Sequence, residues 1–142
     1  MADRYNTNLA AEFYVLSMLH RRRAEALLTL GNKKAVDLVV IRGAGRIVTI
    51  DVKGVKGPWD WPADNVRVPK HNRHVLVLVS FEGQIRNPKA VPSVWVVPAR
   101  KLAPFIRKYP PPPRKVIRTV ISRAAVKARG GHFRDAWHLV AR

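Results

Sequence analysis

Cysteine is absent from the 142 residues, which excludes a disulfide framework and any thiolate metal centre and fits a reducing, cytoplasmic setting. Acids are scarce: 9 Asp and Glu stand against 27 Lys and Arg, a formal charge of +18. No apolar run approaches the roughly 20 residues that span a bilayer. The opening M-A-D-R-Y-N has no apolar signal core, so neither a membrane span nor secretion is expected. A glycine-rich phosphate loop is missing too, because G-A-G-R-I at 43–47 runs into a strand-like segment and not a helix. The histidines (His20, His71, His74, His132 and His138) form no i, i+4 pair and no zinc spacing, so no site is expected from them. No serine-based triad and no internal repeat is visible.

What remains is a globular chain, 47% apolar, long enough for one buried core. A pI near 11.5 is the electrostatic footprint of a nucleic-acid binder. An anionic membrane surface would suit the charge, but no basic amphipathic helix with exposed large apolar residues stands out. Three of the nine acids fall on one suspected site, Asp37 and Asp51 from a single stretch and Glu12 from upstream, and in so basic a chain that concentration is informative.

The stretch is 34–56, K-A-V-D-L-V-V-I-R-G-A-G-R-I-V-T-I-D-V-K-G-V-K. Two runs rich in Val and Ile, Ala35–Ile41 and Ile47–Val52, flank Gly43-Ala44-Gly45, a hairpin signal. With a three-residue loop, Arg42 faces Arg46 and opposed residue numbers sum to 88, which sets Asp37 across from Asp51. Lys53, two residues on, points to the same face as Asp51. Carboxylates about 5 Å apart repel by about 3 kcal/mol at an effective dielectric of about 20. A divalent cation such as Mg²⁺ removes that repulsion. The alternative is that one acid faces solvent and the other pairs with Lys53. A two-residue loop would instead put the acids on opposite faces.

Asp37, thirteen further residues, then Asp51-Val52-Lys53 resembles the signature of the PD-(D/E)XK nuclease superfamily in its D…DxK form. The helical Glu12 in N-L-A-A-E-F-Y-V-L-S-M-L is similar to the upstream acid of the resolvase-like branch. Val36 stands where the family's proline usually lies. The resemblance covers 8–56 well and 73–97 loosely. It implies an α/β fold, a restriction endonuclease-like αβββαβ core with a mixed central sheet in a single domain. It further implies Mg²⁺-dependent hydrolysis of DNA, branched or double-stranded, with Mn²⁺ as a substitute metal and a homodimer that cuts two strands. Asp37, Asp51, the Val52 carbonyl and Glu12 would hold metal, and Lys53 would orient water or neutralise the phosphate. Two other readings stay open: a non-catalytic nucleic-acid-binding module of the same fold, and a basic RNA-associated protein.

Along the rest of the chain, Leu9 to about His20 is predicted as a helix with Leu9, Phe13, Leu16 and Met18-Leu19 on its apolar stripe. Arg21-Arg22-Arg23 suits either a solvated helix end or phosphate contact. A strand is expected at 26–30 and a turn at Gly31-Asn32. The loop after Lys53, with Lys56, Trp59 and Trp61, leaves directly from the acids; its tryptophans either stack on bases or pin the loop to the core. Arg67, Lys70 and Arg73 are basic flanks. His74–Phe81 is the pattern of a strand covered on both faces, and Val94–Val97 another strand. A helix from about Pro98 to Tyr109 turns Leu102, Phe105 and Ile106 inward, and Pro110–Pro113 is a stiff spacer. Residues 1–109 are thus expected as the nuclease-like core and 110–142 as a basic segment packed back on it. Arg114–Arg134 has seven Lys and Arg and no acid. Ser122 caps a short helix there, ending at Gly130-Gly131, with Arg123 and Lys127 one turn apart to follow a phosphate track. Asp135–Val140, with Trp137, is expected to dock on the core.

Overall fold

Helix α1 (Ala2–Arg21) buries Thr7, Ala11, Val15 and Leu19, a row in steps of four that forms one face. Glu12 is buried beside it. The expected stripe is therefore rotated: Phe13 is 54% exposed, whereas the small Thr7 and Ala11 lie inward. Close approach to the sheet decides the face here, not side-chain size. The computed structural model describes residues 2–29, 36–66, 73–110 and 113–141, so Arg67, Lys70, the 31–32 turn and part of the proline run lie outside the described residues.

Strands β1 (Glu25–Leu28), β2 (Leu38–Arg42), β3 (Arg46–Val55), β5 (His74–Ser80) and β6 (Ser93–Pro98) form one mixed sheet in the order β1-β2-β3-β5-β6. Only β3 and β5 run parallel. Ile50 and Val52 pack with Ala11 and Val15 of α1. Alternation then turns Thr49, Asp51 and Lys53 to the other face. On that side a small second sheet, β4 (Trp61–Pro62), β8 (Arg118–Ile121) and β7 (Ile106–Tyr109), closes a second core over Leu76, Leu78 and Trp95. This sheet was not expected, because its three strands are short and β4 lies far from the other two in the chain.

The fully buried His74–Ser80 and the strand near 94–97 are as expected. The helix expected at 98–109 is not. The backbone makes two 3-10 turns, Ala99–Lys101 and Ala103–Phe105, then enters β7; Leu102 and Phe105 still point inward. The αβββαβ order is met only in its first half. Among the described residues between β3 and β5 there is no helix, and the short α2 (Arg123–Arg129) comes after β8. Ser122 caps α2 by accepting the Ala125 N–H, and Gly130 ends it. Trp137 and Val140 dock in the α1-side core.

Gly54 is where α1 touches β3. A Cβ there would stand 2.6 Å from the Ala11 Cβ and 3.3 Å from the Thr7 carbonyl oxygen. Gly54→Val should push α1 off the sheet and cost about 1–3 kcal/mol. Thermal melting checks this, and Ala11→Gly in the same chain should recover part of the loss.

Candidate functional site

The hairpin turn at Gly43-Ala44-Gly45 places Ala44 at φ 63° and Gly45 at φ 70°, the left-handed backbone that such a loop needs. Arg42 faces Arg46, and the pairing runs on through Leu38 opposite Ile50, so every opposed pair sums to 88. One step further the ladder ends. The Asp37 N–H bonds the Ile50 carbonyl at 3.0 Å and its Oδ2 accepts the Val52 N–H at 2.8 Å. The carboxylate stands in for the strand that β3 lacks beyond this point.

The Thr49 N–H bonds the Arg73 carbonyl on the β5 side. Main-chain groups alternate, so those of Val52 and Gly54 turn to the opposite margin of β3, which β2 no longer covers. That margin forms the floor of a cleft of about 530 Å³. Asp37, Val52, Lys53 and Gly54 lie along it; Asp3, Arg4, Thr7 and Asn8 of α1 form one wall, and Lys56, Trp59 and Pro62 the other. Glu12 follows Asn8 by one helical turn and is buried.

Asp51 belongs to a different set of contacts. Its Oδ2 lies 3.2 Å from His74 Nε2, and His74 Nδ1 is 2.7 Å from Thr49 Oγ1. His74 is 2% exposed. It is the residue that sequence reasoning missed. The available signal was a polar ring at the head of an otherwise apolar, doubly covered strand. Among the described residues, no three His, Cys, Asp or Glu side chains gather closely enough to enclose a metal ion.

The other candidates divide. Trp59 is 59% exposed over the cleft, with its ring against Gly57. Trp61 is fully buried, donates Nε1–H to the Val79 carbonyl at 3.0 Å and meets Trp95 edge-on. Trp61 therefore pins the loop to the core, whereas Trp59 leaves a ring face open to the cleft. Lys56 Nζ bonds Asp3 Oδ2 at 2.9 Å on the cleft rim, and that hydrogen bond and charge hold the Asp3 carboxyl below its ordinary range. Arg73 is exposed and lines a separate cleft beside His74.

Arg123 does not join Lys127 on an open phosphate track. Its side chain is 13% exposed and meets Glu82 at 2.8 Å, and its guanidinium lies over Trp95, which Arg134 also flanks. Burial opposes charge on Glu82, but hydrogen bonds from Ser80 and Arg123 hold its carboxyl below the usual range. The acid that the 114–134 segment lacks is supplied from a distant loop. Lys127 remains exposed.

No family model matches the chain, and no curated protein matches it. Among solved structures, the fold is similar to that of the bacterial homing endonuclease I-Ssp6803I, with a TM-score of 0.56 and 18% identity over 94% of this chain and 88% of that one. At that identity the likeness is one of fold. No described helix is long and apolar enough to cross a membrane.

Proposed function

We propose that the chain is a metal-dependent endonuclease of the PD-(D/E)XK kind, hydrolysing phosphodiester bonds of DNA in the cleft along the open margin of β3. The observation that carries the reading is that Asp37, with its carboxylate on the Val52 N–H, and Lys53 line one cleft on a strongly basic chain. The name of the structurally similar protein, a homing endonuclease, adds support from fold analogy.

The donors suit Mg²⁺ chemically. Asp37 and the Val52 carbonyl are hard oxygen donors on the same margin, and Mg²⁺ is usually held by one or two carboxylates, with waters and substrate phosphate completing its shell. Asp51 would join by turning from His74, and Glu12 from the buried end of the Asn8 row. When bound, the metal supplies a more acidic water and charge stabilisation at the phosphate. The chain's own residues do the rest. Lys53 brings a compact positive charge to the reacting phosphate. Arg4 and Lys56 draw the backbone into the cleft, which gives affinity without sequence preference. Trp59 offers an exposed ring face on which a base can stack. A homodimer would supply two such clefts for two strands, and branched DNA is the substrate suggested by the resolvase-like motif.

A second reading, a binding module that cleaves nothing, is favoured by one observation: the two acids of the hairpin segment already have protein partners, Val52 for Asp37 and His74 for Asp51. Melting of wild type and Asp51→Asn, with and without Mn²⁺, alongside cleavage of branched and linear DNA, separates the two. The nuclease reading expects Mn²⁺ to raise the wild-type melting temperature, metal-dependent cleavage, and loss of both in Asp51→Asn. A wild type that melts identically with and without Mn²⁺ and cuts neither substrate leaves the binding module.

A further inference from the structure

At the far end of the hairpin, Arg42 and Arg46 stand directly across from each other. Like charges at opposed positions destabilise a strand pair, and no carboxylate among the described residues pairs with Arg42, Arg46 or Arg100. These three arginines, with Arg73 and His74, line a cleft of about 680 Å³ that has no acid among its described lining residues. They reach it from three places in the chain: the hairpin turn, the entry to β5 and the exit of β6. A planar guanidinium fork suits phosphate oxygens in pairs, and a bound phosphate would remove the Arg42–Arg46 repulsion.

We infer that this arginine cleft grips backbone phosphates of a nucleic acid, away from the cleft where the strand is cut. Arg46 and Lys53 lie seven residues apart on β3, about 23 Å at a rise of about 3.3 Å per residue. One strand of duplex DNA offers a phosphate about every 3.4 Å of axis, so the second grip falls about seven nucleotides from the scissile bond. The spacing rests on the proposed cutting site at Lys53; the phosphate grip itself does not.

Binding is measured by fluorescence anisotropy in metal-free buffer, on duplexes of about 6 and about 16 base pairs, across a salt series. The variant combines Arg42→Gln, Arg46→Gln and Arg100→Gln, none of which lines the cutting cleft. Wild type should bind the long duplex more tightly than the short one and with a steeper salt dependence. The variant should lose that gain. Its slope of log affinity against log salt on the long duplex should fall by about two to three, since each phosphate contact contributes about 0.9. On the short duplex the slopes should agree. The variant should melt no lower than wild type, because the opposed charges are gone. Equal slopes and equal length gain in both proteins would overturn the inference. So would a wild type that binds no duplex, or one whose arginine cleft takes only inorganic pyrophosphate or polyglutamate while duplex length has no effect. A length gain that depends on the arginines, in a protein that cuts nothing, sinks the nuclease reading and leaves the phosphate grip standing.

Discussion

Exchanging Lys53 for methionine is expected to lower the single-turnover cleavage rate by about 10²–10³-fold, the loss typical of removing one electrostatic contact to a transition state. Methionine keeps the length and apolar stem, and Lys53 has no ion-pair partner among the described residues, so folding should be unaffected. Duplex affinity should drop by only a few fold, with the salt slope reduced by about one. Rate and affinity therefore separate. A binding-only protein would show the affinity change with no rate to lose, and a Lys53→Met enzyme that cuts as fast as wild type would remove Lys53 from the chemistry.

The second large effect is on stability. Trp61 carries the turn of chain that returns from the cleft wall to the body: its ring is wholly buried against Trp95 at 5.6 Å, and its Nε1–H holds the Val79 carbonyl. Trp61→Ala should cost about 3–5 kcal/mol, a fall in melting temperature of about 10 °C or more. Trp61→Phe keeps most of the buried area but leaves the Val79 carbonyl without its donor, for about 1–3 kcal/mol. Trp59→Ala, two residues away and exposed, should leave melting within about 2 °C and weaken single-strand binding instead, by about 1–3 kcal/mol if a base stacks there. Equal destabilisation by Trp59→Ala and Trp61→Ala would mean that both rings pin the loop.

The contrast between these tryptophans marks what could be read in advance. The hairpin was legible because its information is local: β-branched runs, a glycine loop of defined length, and a register that follows from counting. Its last step was not, because Asp37 leaves the ladder to bond Val52, and that depends on where β2 ends. Helix α1 was legible as a helix, but its inward face was not. Hydrophobicity puts Phe13 inside, whereas contact with Gly54 selects Thr7 and Ala11. The remaining misses share a cause. His74 meets Thr49 and Asp51 across a parallel pairing, and Arg123 meets Glu82 from 41 residues away. Spacing rules test neighbours in sequence, and these partners become neighbours only when distant strands and loops have assembled.

The open margin of β3 has one more consequence. For its first half β3 is an interior strand; past Ile50 the same strand becomes an edge on the β2 side. Bare ladder groups invite strands from other molecules, and proteins blunt such edges with charges, especially lysine, or cover them. Here Asp37 occupies the first ladder position, Lys53 lies along the remainder, and the α1 wall and the wall of Lys56 and Trp59 stand on either side. The cations that would receive a phosphate also keep this strand from recruiting a foreign one. Neutralising them to dissect binding should therefore raise the tendency to self-associate, and a soluble, monodisperse double variant of Lys53 and Lys56 would be harder to obtain than either single one.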